Sequence, residues 1–391
     1  MDHRKRVLKY NEITDDKVKE ALNICISLLK GTLPDFTYDF PSANSFQNFY
    51  KKTANDDWTN GFYTGELWLA YEASKDEDFL YTGEIHVDSF LERIKKRIVV
   101  DHLDMGFLYT PSCVAAYKIT GNEIAKAAAL MAADNLISRF QEKGQFFQAW
   151  GAMGESDNYR LIIDCLLNMP LLFWAYEETG KVIYKEKATA HIETAIRYVI
   201  RPNHSTYHTY FFDKETGEPL RGVTRQGYKD TSAWARGQAW GIYGVALSYR
   251  YLGKNEYIEM FEQLTDFFVN NLPSDLIPYW DFDFTDGSLE PRDSSASAIA
   301  ICGILEMCQY LEEEKVSYYK SIAKQMLEAL RVNCSVKDIK ESNGLLLHGT
   351  YAKNSPYNGC NNAGVDECNL WGDYFYMEAL IRLYKDWDSY W

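Results

Sequence analysis

Asp164 lies inside an apolar stretch, where an ionisable side chain is a candidate for proton-transfer chemistry. The stretch runs from Asn158 to Tyr176 and reads NYRLIIDCLLNMPLLFWAY. Nearly every residue after Arg160 is apolar, which predicts a helix buried on all sides. A buried carboxylate is costly unless it is paired or protonated. Asp164 is therefore either a proton-transferring acid or a structural carboxylate that caps a helix or bonds to the backbone.

Two further charged residues, Asp104 and Arg236, stand at the start of comparable segments. Two neighbouring carboxylates can divide acid and base work, because apolar surroundings and a second carboxylate both raise a carboxyl pKa. Helix N-terminal dipoles act in the opposite direction, since they favour the anion. Arg236 can hold a substrate carboxylate. The alternative for Arg236 is an internal salt bridge to Asp104 or Asp164.

Helical patterns dominate the chain and alternate between two kinds. Amphipathic helices begin near Thr14 (a plausible N-cap, with Gly31 as the stop), Val87, Asn122, Lys185, Asn255 and Ser317. Between them lie segments richer in Gly, Ala, Ser and aromatic residues, which begin at Trp58, Asp104, Ile163, Arg236, Asp293 and Trp371. An outer helix buries one face and an inner helix buries two, so the alternation predicts two concentric layers. We expect an all-α fold, an (α/α)6 barrel in which residues 1–391 form one domain; an open superhelix is the competing architecture.

A tyrosine followed by charged residues ends each of the less polar segments, and these tyrosines give a common register. They are Tyr71, Tyr117, Tyr176, Tyr249, Tyr310 and Tyr384. Counting thirteen residues back from each reaches Trp58, Asp104, Ile163, Arg236, Ser297 and Trp371, and Asp164 is one residue off. The register predicts that these N-termini converge at one mouth of the barrel, where they form a candidate site.

The composition excludes some partners and favours others. A net charge of −15 makes nucleic acid and anionic membranes unsuitable partners, and an anionic substrate would need local positive groups. Aromatic residues make up 15% of the chain, an excess that suits stacking on ring-shaped ligands. Met1 to Ile13 lacks the apolar core of a secretory signal, and no run of eighteen apolar residues could span a membrane. The eight scattered cysteines are typical of buried free thiols, so we expect a cytoplasmic protein.

The segment from Arg201 to Asp230 reads as a long loop with a hairpin whose turn is ETGEP. His204 and His208 are four residues apart, but their neighbours do not look helical and there is no clear third ligand. Neither a glycine-rich phosphate loop nor a nucleophile elbow nor a dinucleotide fingerprint is present. We therefore expect no cofactor and no metal ion.

Four motifs resemble the unsaturated glucuronyl hydrolases of glycoside hydrolase family 88. They are LDMGF around Asp104, RLIIDCLLNMPLL around Asp164, SAWARGQAWGIYG around Arg236 and the C-terminal GVDECNLWGDYFYMEAL. The family fold is an (α/α)6 barrel. The resemblance implies an enzyme that removes a 4,5-unsaturated uronic acid from lyase-generated oligosaccharides by hydration of the vinyl ether. Asp164 would be the acid/base and Asp104 a supporting carboxylate, a scheme to which the separation rule for two-carboxylate glycosidases does not apply.

The same resemblance implies a set of substrate contacts. Trp58, Trp150 and Trp234 would stack on sugar faces, whereas His208, Gln226 and Arg236 would bind hydroxyls and the uronate. Two departures stand out. Leu103 takes the place of a histidine that many members have directly before the first Asp, and His102 lies one residue earlier. In the loop AKNSPYNGCNNA, Lys353 and Ser355 do not align clearly with residues thought to accept sulfated substrates.

Three functions follow in order of preference. The residues of the four motifs favour an unsaturated glucuronyl hydrolase that acts on chondroitin or hyaluronan disaccharides. A hydrolase for unsaturated galacturonyl-rhamnose from pectin shares the fold and the aspartate pair. A non-catalytic sugar-binding barrel is the alternative outside the enzymes. The sequence leaves the oligomeric state, the aglycone sugar, its linkage and its sulfation undecided.

Overall fold

The computed structural model, which describes residues 5–391, is helix-rich, as the sequence predicts. The helices are α1 (Asp15–Phe36), α2 (Asn60–Ser74), α3 (Glu77–Lys95), α4 (Met105–Tyr109), α5 (Ala115–Thr120), α6 (Glu123–Ile137), α7 (Pro170–Thr179), α8 (Val182–Val199), α9 (Ala235–Leu252), α10 (Glu256–Asn270), α11 (Ser294–Met307), α12 (Glu313–Asn333) and α13 (Leu370–Tyr384). A π-helical segment (Thr110–Val114) joins α4 to α5, and 3-10 turns span Ser156–Asn158 and Ile163–Asn168.

Short antiparallel strands occupy four of the connections between helices. They are β1 (Phe40–Pro41), β2 (Lys52–Thr53), β3 (Phe140–Gln141), β4 (Phe146–Phe147), β5 (Arg160–Ile162), β6 (Thr209–Phe212), β7 (Pro219–Val223), β8 (Gly349–Ala352) and β9 (Ala363–Glu367). They pair as β1-β2, β3-β4, β5-β6-β7 and β8-β9. The β6-β7 hairpin turns at residues 213–218, which confirms the turn predicted at ETGEP.

The helices alternate between two layers along the chain. In α2, α9, α11 and α13, long unbroken runs are buried, for example every residue of α11. Helices α1, α3, α6, α8, α10 and α12 bury one face only. Together with α4 and the 3-10 turn at Ile163–Asn168, these helices contact one another in chain order, and α13 packs back against α2, so the ring of contacts closes. The amphipathic helices pack around this ring, which gives each buried helix neighbours on all sides.

The recurring tyrosines mark the C-termini of buried helices. The residue four positions after Tyr71, Tyr117, Tyr176 and Tyr249 adopts a left-handed conformation, and its N–H donates to the tyrosine carbonyl. That residue is Lys75 after α2 and a glycine in the other three cases. Because glycine reaches positive φ without a Cβ clash, it ends each helix in a tight turn toward the next amphipathic helix.

The connections between the two layers of helices differ in length according to their direction. Connections from a buried helix outward are short, such as residues 75–76 and 180–181. Connections inward from an amphipathic helix are long and carry every strand of the described residues 5–391. The loops and small sheets therefore gather at the end where the buried helices begin.

Several predicted boundaries are wrong. The chain from Asn158 to Tyr176 is not one helix, because it forms β5, a 3-10 turn and then α7. Helix α1 has Thr14 as its N-cap but continues past Gly31 and through Pro34 to Phe36, since Leu33 and Phe36 still face the core. Helix α3 begins at Glu77, well before Val87, after an Asp76 cap. The other predicted outer starts are within four residues of the observed ones.

No helix among residues 5–391 is both long enough and apolar enough to cross a membrane. Residues 1–4 of the N-terminal segment considered above lie outside the described chain.

Candidate active site

A cavity of about 460 Å³ opens at the end of the ring where the buried helices begin. Its wall includes all eight side chains that the sequence singled out: Trp58, Trp150, Trp234, Asp104, Asp164, His208, Gln226 and Arg236. Trp240 of the SAWARGQAWGIYG motif also lines the wall, as do Arg225 and Tyr351, which the sequence did not single out. Three members of the predicted register do not reach the cavity. Ile163 is buried in the core, although its neighbour Asp164 lines the wall. Ser297 is buried inside α11, where its hydroxyl donates to the Leu276 carbonyl, and Trp371 lies behind Trp58.

Strand pairing determines where Asp164 lies. Ile162 in β5 pairs with Thr209 in β6, and the Ile163 N–H donates to the His208 carbonyl at 2.9 Å. After β5 the chain enters the 3-10 turn, and Asp164 is the second residue of that turn. Helix α7 starts only at Pro170, because proline lacks the N–H that would continue a helix but fits its first turn. The carboxyl group of Asp164 therefore projects from a turn between a strand and a helix.

Asp164 has the properties of a proton donor at neutral pH. Its side chain is half-buried, and its Oδ1 atom is buried without a hydrogen-bond partner in the described protein. Burial, reinforced by the nearby Asp104 carboxylate, raises the pKa of Asp164 to about 8. Arg236 and the backbone amide of Asp164 itself oppose this shift. Burial and Asp104 outweigh them, so the protonated form is favoured near pH 7.

Asn168 and Gly106 hold the two aspartates in neighbouring positions. Asp104 is the N-cap of α4, and the Phe107 N–H of that helix donates to Asn168 Oδ1 at 3.0 Å. A Cβ atom on Gly106 would lie 2.3 Å from Asn168 Cα, a distance that no side chain tolerates. Only glycine therefore allows α4 and the Asp164 turn to approach this closely.

His102 binds the aspartate loop in place of the missing histidine. Its Nε2–H faces the Val99 carbonyl at 3.0 Å, so in the neutral ring Nδ1 is an acceptor. Nδ1 accepts the Asp104 N–H at 3.1 Å and lies 3.3 Å from Asp104 Oδ2. Leu103 is fully buried, and its N–H donates to the Ala149 carbonyl. His102 is thus the histidine that touches Asp104 in this chain, whereas Leu103 belongs to the core.

Arg236 forms an internal ion pair, but with neither of the aspartates considered from sequence. Its Nη1 lies 2.5 Å from Oδ2 of Asp293, and both side chains are buried. Nη1 also donates to the Thr350 carbonyl and Nη2 to the Tyr351 carbonyl. The guanidinium lies over the ring of Trp234, with its central carbon 4.5 Å from the ring centroid. Its charge is therefore largely balanced within the protein.

His208 and Gln226 keep one polar group each for a ligand. The backbone amides of Arg225 and Gln226 donate to His208 Nδ1 at 3.0 and 3.1 Å, which places the ring proton on Nε2. Burial and the nearby Arg236 lower the pKa of His208 to about 3, so the ring is a neutral donor at physiological pH. Gln226 donates its amide N–H to the Tyr351 carbonyl. Its side-chain oxygen can accept from a hydroxyl.

Trp58 and Tyr351 form a fixed aromatic edge of the cavity. Trp58 Nε1 donates to the Tyr351 hydroxyl at 3.0 Å, and the Trp58 ring stacks on Trp371 with centroids 5.2 Å apart. Because the Tyr351 oxygen already accepts, its own proton can be donated to a bound group. An aromatic face with a hydroxyl donor beside it suits a sugar ring.

The unbalanced positive charge of the cavity comes from Arg160 and Arg225. They flank Trp150, with guanidinium carbons 4.3 and 5.5 Å from its ring centroid. No salt bridge holds either of them within residues 5–391, and Arg160 Nε is buried without a hydrogen-bond partner. Burial and the neighbouring Arg225 lower the pKa of Arg160 to about 10. These two cations supply the local field that an anionic substrate needs. Sequence reasoning missed them, because a motif does not show which charges lack a carboxylate partner in the folded chain.

The family model for Glycosyl Hydrolase Family 88 matches residues 36–385. The chain belongs to glycosyl hydrolase family 88, and it is a glycoside hydrolase. A curated unsaturated chondroitin disaccharide hydrolase of Streptococcus agalactiae serotype III (strain NEM316) is 49% identical over 393 residues, covering 100% of this chain and 97% of the relative. A crystal structure of unsaturated glucuronyl hydrolase from Streptococcus agalactiae superposes with a TM-score of 0.94 at 49% identity, over 97% of this chain and 95% of that one.

A ligand complex of a mutant of the same streptococcal hydrolase is also similar to this family 88 hydrolase. It contains dGlcA-GalNAc6S and superposes with a TM-score of 0.87 at 44% identity, over 99% of this chain and 98% of that one. Within the described part of the family 88 hydrolase, no group of three or more His, Cys, Asp or Glu side chains is arranged to hold a metal ion.

The loop at residues 351–362 contributes both of its ends to the cavity of the family 88 hydrolase, with Tyr351 and Ala352 at its start. Gly359, Cys360 and Asn361 line the wall, but Lys353 and Ser355 do not. The Ser355 hydroxyl donates to the Tyr228 carbonyl and accepts from the Tyr357 and Asn358 amides. This serine therefore shapes its own loop.

Proposed function

We propose that the protein is an unsaturated glucuronyl hydrolase that removes the 4,5-unsaturated uronic acid from lyase-generated chondroitin or hyaluronan disaccharides. The observation that carries the proposal is the carboxyl group of Asp164, which the cavity keeps protonated near neutral pH beside a second carboxylate. The names of the similar proteins, an unsaturated chondroitin disaccharide hydrolase among them, support the same substrate class. No step needs a cofactor.

In the first step Asp164 acts as the acid. The protonated carboxyl delivers its proton to C4 of the vinyl ether, which leaves positive charge shared between C5 and the ring oxygen. The Asp164 carboxylate that results, together with Asp104, stabilises that charge electrostatically. A raised pKa serves this step, because an aspartate with an ordinary pKa is ionised at pH 7 and has no proton to give.

In the second step the same Asp164 acts as the base. Its carboxylate accepts a proton from water as the water oxygen bonds to C5, which gives a hemiketal and regenerates the acid. The hemiketal opens as the bond between C5 and the ring oxygen breaks, which makes C5 a ketone and leaves a hemiacetal at C1. That hemiacetal loses the departing sugar as its alcohol, and C1 becomes an aldehyde. No nucleophile attacks the anomeric carbon, so the reaction needs no second carboxylate as a nucleophile, and Asp164 serves as both acid and base.

Recognition divides between stacking and polar contacts. Trp58, Trp150 and Trp234 offer faces for sugar rings. His208 donates from Nε2, while Gln226 accepts. Arg160 and Arg225 supply uncompensated positive charge beside Trp150, which suits the anionic groups of such a substrate. Arg236 contributes through a guanidinium already fixed by Asp293.

We further propose that the closed ring of buried helices is an (α/α)6 barrel and that it forms a single domain. Its support is the cyclic order of contacts among six elements, with one amphipathic helix packed against each. The six are α2, α4, the 3-10 turn at Ile163–Asn168, α9, α11 and α13. Eight free cysteines, most of them buried, support the proposed cytoplasmic location.

The test follows the ultraviolet absorbance of the conjugated enoate, which hydration abolishes. Purified protein is mixed with unsaturated disaccharides from hyaluronan, unsulfated and sulfated chondroitin, heparin and pectin. We expect loss of absorbance with chondroitin or hyaluronan disaccharides. The relative rates with sulfated and unsulfated disaccharides show which of them the enzyme prefers. Loss with the pectin disaccharide alone would reassign the protein to rhamnogalacturonyl substrates. Binding of a disaccharide without any loss would identify a non-catalytic sugar-binding barrel.

A further inference from the structure

Asp293 lies outside the cavity but contacts the residues that shape it. It is the N-cap of α11 and is fully buried, in a loop whose last residues reach the ring beside α9. Its Oδ2 is bonded to Arg236 Nη1 at 2.5 Å. Its Oδ1 accepts the Ser295 hydroxyl at 2.5 Å and the Thr350 N–H at 3.4 Å. Both carboxylate oxygens are thus used, on partners from α9, α11 and β8.

Two chains of contacts lead from Asp293 to Trp58. In the first, Asp293 holds Arg236, whose Nη2 donates to the Tyr351 carbonyl, and the Tyr351 hydroxyl accepts from Trp58 Nε1. In the second, Ser295 accepts the indole N–H of Trp371 at 2.9 Å, and Trp371 stacks on Trp58. One buried carboxylate therefore fixes the aromatic edge of the cavity from two sides.

Asp293 also sets the net charge that Arg236 presents to Asp164. The ionisable groups that act on Asp164 are Asp104 at the start of α4, Arg236 on α9 and the thiol of the adjacent Cys165. Neutral His208 and the cation Arg225 share the cavity, and Arg160 lies against Trp150 in its wall. Of the side chains that act on Asp164, Arg236 is the one that favours its carboxylate form. An unpaired guanidinium at that position would draw the proton from the acid.

We propose that Asp293 is a positioning residue for the reaction: it fixes Arg236, Tyr351 and Trp58, and it balances the Arg236 charge so that Asp164 can hold its proton. Asp293 does not touch the cavity, so it acts only through these partners. The part concerning the proton rests on the proposed function, in which Asp164 is the acid.

The test compares the pH dependence of kcat in Asp293→Asn with that of the wild type. Asparagine keeps the shape and some hydrogen bonds but removes the charge. We expect the alkaline limb of the profile, which follows loss of the Asp164 proton, to move to lower pH by about one unit. We also expect KM to rise about tenfold as the aromatic edge loosens. An alkaline limb that coincides with that of the wild type would overturn the proposal.

Two variants separate charge balance from general loosening. Ser295→Ala releases Trp371 but leaves the ion pair intact, so KM should rise while the profile keeps its wild-type position. Glu306→Gln alters another fully buried carboxylate of α11, paired with Arg382 at the far end of the helix, and should leave both KM and the profile unchanged. Equal shifts of the limb in Asp293→Asn and Ser295→Ala would indicate loosening alone and refute the charge role.

A series of charge-neutralising variants covers the case in which Asp293→Asn fails to fold. Arg236→Gln removes the cation, so the alkaline limb should move to higher pH. The double variant Arg236→Gln/Asp293→Asn removes both charges, and its limb should return toward the wild-type position. A double variant whose alkaline limb coincides with that of Arg236→Gln would show that the charge of Asp293 does not affect the ionisation of Asp164.

Intrinsic tryptophan fluorescence keeps the test independent of turnover. Four tryptophans line the cavity, so ionisation of Asp164 should change their emission. The transition that disappears in Asp164→Asn is assigned to Asp164, and in Asp293→Asn it should occur at lower pH. If the wild type turned over none of the disaccharides, the proposed function would fail, while this titration would still decide the role of Asp293.

Discussion

The two carboxyl groups of the cavity differ in their surroundings, and this difference suits different tasks. Asp164 is held in an apolar turn with one unpartnered oxygen, whereas Asp104 lies at the mouth against the imidazole of His102. The group that retains a proton is the one suited to protonate carbon. The group beside it contributes negative charge, which raises the pKa of its neighbour and favours a cationic transition state.

Asp164→Asn should abolish proton transfer while leaving ligand binding intact. Asparagine fits the same space, so we expect kcat to fall by about 10³-fold or more and the disaccharide to bind with little change. In the wild type, kcat should decline above a pH of about 8, as the raised pKa of Asp164 requires. Steady-state kinetics and tryptophan-quenching titrations measure both quantities. Asp157→Asn on the exposed turn upstream is the matched control, and comparable turnover in the two variants would contradict the acid role.

The same variant should be more stable than the wild type in alkaline solution. The folded pKa of Asp164 lies above its unfolded value of 3.8, so the native state binds the extra proton and loses stability as pH rises from about 4 to about 8. The amide that replaces the carboxyl group has no proton to lose in this range. We expect the melting temperature of Asp164→Asn to exceed that of the wild type by ~2 °C or more at pH 8 and to match it near pH 4. A difference that does not vary with pH would exclude this linkage.

At the residue scale, the sequence predicts which side chains line the cavity better than it predicts which charged side chains pair with each other. All eight residues chosen from sequence line one cavity, while the roles assigned to them stay predictions. Asp293 was not considered as the partner of Arg236, since 57 residues separate them. Arg160 and Arg225 were missed for the same reason: whether a charge is balanced depends on contacts between distant segments.

At the scale of elements, the closest approach in the site is between α4 and the Asp164 turn. Gly106→Ala should force these two elements apart, because its Cβ would overlap Asn168 Cα. We expect destabilisation of about 1–3 kcal/mol and a larger proportional loss of kcat than of binding, since the two aspartates would separate. Urea unfolding and kinetics on the same preparation measure this. Unchanged kcat in a destabilised variant would show that the spacing of the aspartates is not critical.

The left-handed turns that end the buried helices make a separate contribution to stability. Gly180→Ala meets no atom within 4 Å, so its whole cost is the positive φ of 69°, about 1 kcal/mol. Urea denaturation should show this loss, and kcat should be unaffected because the turn lies away from the cavity. Gly359→Ala also projects into open space but has no such φ, and it should retain the wild-type midpoint. Equal midpoints for both variants would refute the conformational explanation.

The alternation of helices was predictable from composition, but the strand before Asp164 was not. The repeating contrast between charged and small-residue segments reflects burial directly. The tyrosine register holds where a left-handed residue ends the helix four positions later and fails in α11, which ends at Met307 before Tyr310. Strand β5 escaped notice because its partner β6 is remote in sequence, and its apolar residues suit a buried helix as well as a strand.

At the scale of the whole molecule, Trp391 is buried among aromatic side chains of α4, α9 and α13. Its indole N–H donates to Glu378 at 2.8 Å, and its ring stacks on Phe375 and approaches the edge of Phe107. Phe107 in turn contacts Trp58 and Trp240 in the cavity wall. The aromatic packing is therefore continuous from Trp391 to the wall of the cavity.

Trp391→Ala should destabilise the fold by about 3–5 kcal/mol, because it leaves a large void and removes the indole donor from buried Glu378, which keeps its contacts with Arg382 and Tyr243. The pH dependence of kcat should keep its shape, since no charge near Asp164 changes. Thermal unfolding and a pH–rate profile measure the two effects. Asp388→Ala alters an exposed neighbour in a weak ion pair with Lys118 and should leave the melting temperature unchanged. A wild-type melting temperature for Trp391→Ala would show that this aromatic packing adds little to the stability of the fold.

The unequal lengths of the connections have a consequence for how new specificities arise. Short turns connect the helices at one end of the ring, and the segments that line the cavity are long connections at the other end. Insertions, deletions or grafts in those long connections change what the enzyme accepts without touching the helix contacts that make it fold. Laboratory evolution toward another aglycone should therefore accumulate its changes in residues 201–230 and 351–362, and leave the turns at the opposite end as they are.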